Sequence, residues 1–79
     1  MPPREKVILR ETFLNYLTSD VGYKYIKRET KNQQAFKRGT HRVYVKKGTN
    51  LPEGYCRQIL AQCGLTRDAI DSFIRVATA

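Results

Sequence analysis

Apolar residues recur every three or four positions near the start of the chain. This is the spacing of one apolar face on an α-helix, and it predicts an amphipathic helix over residues 4–20. Gly22 follows where a left-handed glycine commonly ends a helix. The apolar positions are Ile8, Leu9, Phe13, Leu14 and Leu17.

The pattern then changes to one typical of strands. Three segments rich in β-branched and aromatic residues, separated by polar turns, predict strands at residues 23–28, 34–38 and 41–46. Gly39 and Thr40 predict a tight hairpin turn between the second strand and the third.

The third strand has the clearest alternation. His41, Val43 and Val45 are predicted to face one way, because side chains alternate along a strand. Arg42, Tyr44 and Lys46 then face the other way and place two cations around an aromatic ring. One face therefore suits packing against helices, and the other suits a charged partner.

The last third of the chain predicts two further helices. Asn50 and Glu53 have the spacing of a capping box at a helix start, and Gly64 is expected to end that helix. Thr66 is the predicted cap of a short final helix. The apolar positions of the two helices are Leu51, Tyr55, Ile59, Leu60, Ile70, Phe73 and Ile74.

These elements predict one α+β domain over residues 1–79, in the order α-β-β-β-α with an additional short helix. Both main helices are expected on one face of a three-stranded antiparallel sheet, which leaves the other face free. The predicted core consists of Leu9, Phe13, Leu17, Ile26, Val43, Val45, Ile59, Leu60, Ile70 and Phe73.

The formal net charge of +8 arises entirely between residues 22 and 48, where Glu29 is the single acidic residue. Residues 1–21 and 49–79 each contain equal numbers of acidic and basic side chains. Because like charges repel and folding does not require such a concentration, the pattern favours a polyanionic partner. The simpler alternative is that the basic residues only keep a small protein soluble.

Four aromatic residues, Tyr23, Tyr25, Phe36 and Tyr44, are interleaved with these cations. Lysine and arginine neutralise phosphates, and exposed aromatic rings stack on bases, so the pattern predicts nucleic-acid binding. At least two of the four rings are expected to pack in the core instead. The predicted binding residues are Lys24, Lys27, Arg28, Lys31, Lys37, Arg38, Arg42, Tyr44, Lys46 and Lys47.

Other classes of partner are less favoured. There is no apolar run of the about 20 residues that a membrane span needs and no signal peptide, so we expect a cytoplasmic protein without a membrane partner. Cys56 and Cys63 lie about 10 Å apart on one helix, too far for a disulfide. With a single histidine in the chain, they predict neither a metal site nor a cofactor.

Two rival functions remain open. Residues 58–66 have the pattern of a DNA-binding helix-turn-helix, but Leu60 is large for its position. The second helix would present Arg67 and Arg75 beside Asp68 and Asp71, a poor surface for a major groove. The basic surface could also bind an acidic protein, which would make the chain an interaction module.

The segment from Leu51 to Leu65 has Gly54 near its start, Arg57 before paired aliphatic residues and a closing Gly-Leu. Gly22-Tyr23 lies at the start of the first predicted strand, Gly39 to Val45 leads into the third, and Thr66 to Ile74 spans the final short helix. In these four segments the chain resembles the HicA family of small toxins from toxin–antitoxin systems, and the match to the family's second helix, at Leu51 to Leu65, is the strongest of the four.

The resemblance implies a fold like that of double-stranded-RNA-binding domains and an RNA partner, either double-stranded or messenger RNA. It also implies metal-independent endoribonuclease activity and an antitoxin protein as a further partner. The sequence departs from the family at the catalytic motif, Gly-Ser-His at the start of the second strand. The aligned positions here, residues 30–33, read Thr-Lys-Asn-Gln and lack a histidine.

Asparagine and glutamine cannot transfer protons near neutral pH. The single histidine, His41, follows Arg38-Gly39-Thr40, which resembles a displaced Gly-Ser-His. If the chain cleaves RNA, His41 is the candidate catalytic residue, with Lys37, Arg38 or Arg42 stabilising the transition state. If it does not, the chain keeps RNA binding alone.

Overall fold

The computed structural model of the protein describes residues 6–29 and 31–78. Within them the elements are β1 (Val7–Leu9), α1 (Arg10–Ser19), β2 (Lys24–Glu29), β3 (Gln33–Arg38), β4 (His41–Lys46), β5 (Asn50–Pro52), α2 (Glu53–Gln62) and α3 (Arg67–Ala77). The predicted α+β class and the α-β-β-β-α order are confirmed. No helix in the described part of the chain is long and apolar enough to cross a membrane.

The main sheet is antiparallel, with the strand order β2-β3-β4. The predicted hairpin turn joins β3 to β4, and Arg38 pairs with His41 across it. Gly39 has a φ of 61° at the first turn position, where a type II′ turn favours glycine because a side chain would be strained. This turn sets the register of β3 against β4.

The core lies between one face of this sheet and the three helices. Phe36, Val43 and Val45 point from the sheet into it and are at most 3% exposed, while Arg42 and Tyr44 are exposed on the other face. The predicted register of the last strand is therefore confirmed. The helices contribute Phe13, Leu17, Cys56, Ile59, Leu60, Ile70, Phe73 and Ile74, and Cys63 adds to the core directly after α2.

The predicted helix over residues 4–20 was wrong at its beginning, since residues 7–9 form β1 and the helix starts at Arg10. Positions 4 and 5 lie outside the described residues. β1 pairs antiparallel with β5, and the buried Ile8 lies opposite the buried Leu51. Strand alternation turns Leu9 outward, where it is 57% exposed rather than in the predicted core.

The predicted capping box was also wrong. Asn50 lies in β5 opposite Leu9, and α2 begins at Glu53 without a side-chain cap at Pro52. The carboxylate of Glu53 instead accepts from the Arg57 guanidinium, at 3.2 Å. Downstream, the predicted cap of α3 is confirmed, because the Thr66 hydroxyl accepts from the Ala69 amide at 3.2 Å.

Ile26 was wrongly predicted to lie in the core. It pairs with Ala35, which pairs with Tyr44, so the register places all three on the face away from the helices. The predictions for Phe13, Leu17, Val43, Val45, Ile59, Leu60, Ile70 and Phe73 are confirmed.

Candidate nucleic-acid interface

The face of the main sheet opposite the helices, called here the open face, contains five of the ten predicted binding residues. The three-stranded register assigns it the following residues: Lys24 and Ile26 from β2, Gln33, Ala35 and Lys37 from β3, and Arg42, Tyr44 and Lys46 from β4. None of these residues is acidic. Every charged residue assigned to the open face is therefore positive.

Three cations form a row across the sheet at its hairpin end. Lys24 lies opposite Lys37, and Lys37 lies opposite Arg42. Since neighbouring strands are about 4.8 Å apart, this cation row spans about 10 Å. Like charges directly opposite one another destabilise a sheet. Repulsion within the cation row therefore destabilises the sheet. A bound anionic ligand would compensate this repulsion.

An apolar row lies next to the cation row. Ile26 and Tyr44 flank the fully buried Ala35, and Tyr44 remains 42% exposed. The backbone beneath Tyr44 is held by Tyr55 of α2, whose hydroxyl donates to the Tyr44 carbonyl at 3.3 Å and accepts from the Lys46 amide at 3.0 Å. Tyr44 is thus an exposed ring on a fixed strand.

A shallow cavity opens beside the cation row, with a volume of about 310 Å³. Lys24, Ile26 and Lys37 line it, together with Arg38 and the glycines Gly22 and Gly39. Two ammonium groups beside exposed glycine backbone make this a suitable position for a phosphate.

Arg38 makes several contacts within the fold. Its guanidinium donates to the carbonyl of Val21, at 2.8 Å, and to that of Cys63, at 3.1 Å. It also lies over the Tyr23 ring, 5.0 Å from the centroid. Arg38 therefore joins the ends of α1 and α2 to the sheet, and its charge is engaged within the fold.

The remaining predicted cations lie away from the cation row. Lys46 places its ammonium over the Tyr55 ring, 4.7 Å from the centroid. The Lys47 amide donates to the Asn32 carbonyl at 2.8 Å, which brings the loop containing the exposed Lys31 beside it. Lys31, Lys46 and Lys47 thus form a second group of cations. It lies four residues along the strands from the cation row, a distance of about 13 Å.

Lys27 is exposed, and the side chain of Arg28 lies outside the described residues, as does Thr30 of the aligned catalytic motif. Of the four interleaved aromatic residues, Tyr23 and Phe36 are buried in the core. Tyr25 and Tyr44 are each 42% exposed. The expectation that at least two of the rings pack in the core is confirmed.

His41 lies apart from Lys37 and Arg42. It is exposed, it pairs with Arg38, and its ring meets the edge of Tyr23 at 6.0 Å between centroids. Strand alternation directs Lys37 and Arg42 to the opposite face. Arg38 shares the face of His41, but its guanidinium is bound to two carbonyls. The structure thus places His41 and Arg38 around Tyr23, and Lys37 and Arg42 on the opposite face.

Sequence reasoning missed Arg10, because it belongs to a segment whose charges sum to zero. At the start of α1, its Nε donates to the Lys46 carbonyl at 2.9 Å, and Nη2 contacts the Gln34 side chain. No sequence signal marks this contact, since it joins residues 36 positions apart.

The helical surface is electrically compensated, in contrast to the open face. Arg57 pairs with Glu53, at 3.2 Å, and with Asp71, at 2.6 Å. These contacts lower the pKa of the Asp71 carboxyl, chiefly through its hydrogen bond to Arg57. On the exposed part of α3, Arg67 and Arg75 add further attraction to the same carboxylate. These arginines are therefore suited as controls for binding experiments.

The cysteines are free and buried. Burial raises the pKa of the Cys56 thiol to about 12 and also raises that of Cys63, so both are poor nucleophiles and metal ligands. Over residues 6–29 and 31–78, no three His, Cys, Asp or Glu side chains gather where a metal ion could bind. Comparison of the chain with protein-family models, curated proteins and solved structures finds no match in any of the three.

Proposed function

We propose that this chain is a HicA-like RNA-binding protein that binds RNA through the open face of its sheet. The observation that carries the proposal is the cation row of Lys24, Lys37 and Arg42 beside the exposed Tyr44. Cations neutralise phosphates and aromatic rings stack on bases, so this face offers groups for both parts of a nucleotide.

The chemistry of the open face favours RNA over an acidic protein. Glutamate and aspartate side chains would be attracted to the cation row, but they have no flat π-surface to place on Tyr44. The helix-turn-helix alternative gains nothing from the structure, because the exposed part of α3 mixes Arg67 and Arg75 with Asp68. A mixed surface of this kind would be repelled and attracted by phosphates in similar measure.

The proposal concerns binding and leaves cleavage aside. His41 lies on the other face from Lys37 and Arg42, so the described part of the open face contains no histidine. The antitoxin partner and the messenger-RNA target that the HicA resemblance implies belong to the same proposal.

The test is a comparison of two polyanions by fluorescence anisotropy. A labelled 12-nucleotide RNA should bind the protein, with an affinity that falls steadily with salt. Polyglutamate of similar charge should compete only at much higher concentration. Binding of polyglutamate as tight as that of RNA would contradict the proposal and favour the acidic-protein alternative.

A further inference from the structure

Tyr44 presents an exposed aromatic ring on the open face. Its ring is 42% exposed on the open face, in a strand at the edge of the sheet. Arg42 precedes it by two residues on the same face, about 7 Å away along the strand. A base on the ring would thus have a cation close to its own phosphate.

The surroundings of Tyr44 form an apolar platform for such a base. On its inner side, Ile26 extends the apolar surface across Ala35, which is fully buried between them. Lys46 follows on the outer side, but its ammonium is turned onto the Tyr55 ring. The cations nearest to the platform that do not lie over another ring are therefore those of the cation row.

A duplex cannot exploit this arrangement. Its bases are paired and stacked on one another, and proteins recognise it through shape, phosphates and 2′-hydroxyls across the minor groove. A single strand can turn one base out of its stack and lay it on an aromatic ring. Duplex RNA would meet only the charges of the open face.

We infer that the open face is specific for unpaired RNA, with Tyr44 stacking on one base while the cation row binds the adjoining phosphates. The inference rests on the proposed function and specifies its ligand. The HicA resemblance implied either double-stranded or messenger RNA as the partner, and this inference excludes double-stranded RNA.

The test uses the full chain and three ligands: a 12-nucleotide unstructured RNA, the 12-base-pair duplex of the same strand, and inorganic polyphosphate, which has no bases. Tyr44→Leu keeps apolar volume but removes the ring, and Tyr44→Phe keeps the ring. Tyr44→Leu should weaken single-strand binding at least about fivefold. It should leave duplex and polyphosphate binding within twofold, and Tyr44→Phe should bind all three like the wild type.

Tyr25 provides the matched control. It has the same exposed fraction of 42%, but its ring meets Phe36 from the helix-side face at 5.6 Å. Tyr25→Leu should therefore leave single-strand binding unchanged. Circular dichroism confirms that each variant is folded before binding is compared.

The possible failures are distinguishable. Unchanged single-strand binding by folded Tyr44→Leu would overturn the inference. The proposed function would still stand if neutralising Lys37 and Arg42 weakens the binding of all three ligands. An equal loss for all three ligands in Tyr44→Leu would also overturn it, because that result assigns Tyr44 a structural role. Absence of any RNA binding by the wild type would overturn the proposed function, and the inference with it.

Discussion

Replacing Lys37 and Arg42 by glutamine removes two adjacent charges of the cation row and leaves the core untouched. Lys37 is half-buried and Arg42 exposed on the open face, and no ion pair joins either to a described carboxylate. Because the two cations repel each other across the strands, the double variant should be at least as stable as the wild type. Any loss of RNA binding then reports lost contacts.

The size of the loss follows from counterion release. Each contact with a single-stranded phosphate contributes a slope of about 0.7 to the dependence of log affinity on log salt. Two lost contacts should flatten the slope by about 1.4. At 1 M salt the electrostatic contribution to affinity is taken as zero, and 0.1 M is tenfold lower. A slope difference of about 1.4 therefore makes the RNA affinity of the double variant about 25-fold weaker at 0.1 M salt, or about 1.9 kcal/mol.

The assay is fluorescence anisotropy with a labelled 12-nucleotide RNA at several salt concentrations. The control is Arg67→Gln with Arg75→Gln. It lowers the net charge of +8 by two, as the test variant does, but removes both charges from the surface of α3. We expect less than a threefold change for the control. Equal losses in the two double variants would refute the reasoning, because they would show that net charge, and not the cation row, determines binding.

Four further predictions concern single side chains. Arg38→Met should lower the free energy of unfolding by about 1–2 kcal/mol through its lost hydrogen bonds, measured by urea denaturation, and a change near zero would contradict its structural role. Tyr55→Phe should cost about 1 kcal/mol in the same assay, since the Tyr44 carbonyl and Lys46 amide lose their partner. Burial raises the pKa of Tyr23 to about 12, so native stability is complete below the ordinary pKa of 10 and is lost as the pH rises towards 12. Tyr23→Phe should reduce this alkaline loss, measured by urea denaturation at pH 7 and at pH 11, because the substitution removes the titrating hydroxyl. Any RNA cleavage by the purified chain in EDTA should fall about a hundredfold or more in His41→Ala, with affinity unchanged; cleavage that persists undiminished eliminates His41 as the catalyst.

The strands of the main sheet could be predicted because their signals are local. The alternation of Val43 and Val45 with Arg42 and Tyr44 determines both the secondary structure and the exposed face. Gly39 and Thr40 determine the hairpin that sets the register. The cation row follows from these features once β2 is paired, so most of the candidate interface could be predicted from the sequence.

The failures come from contacts between distant residues. Ile8 and Leu9 fit a helical spacing, but Ile8 is buried through its pairing with Leu51, 43 positions later, which no local pattern shows. The same pairing draws Asn50 into β5 and removes it from the predicted cap. The hydrogen bonds of Arg38 also could not be predicted, because the two carbonyls that accept them come from the ends of two helices, which meet only in the folded chain.

The most direct test of RNA binding by the open face is an NMR titration of the isotopically labelled chain with the 12-nucleotide RNA. The largest amide shifts should occur at Lys24, Lys37, Arg42 and Tyr44, while Arg67 and Arg75 on α3 should stay in place. The same pattern should disappear when salt is raised enough to abolish binding. Shifts concentrated on α3, with the open face unchanged, would contradict the account.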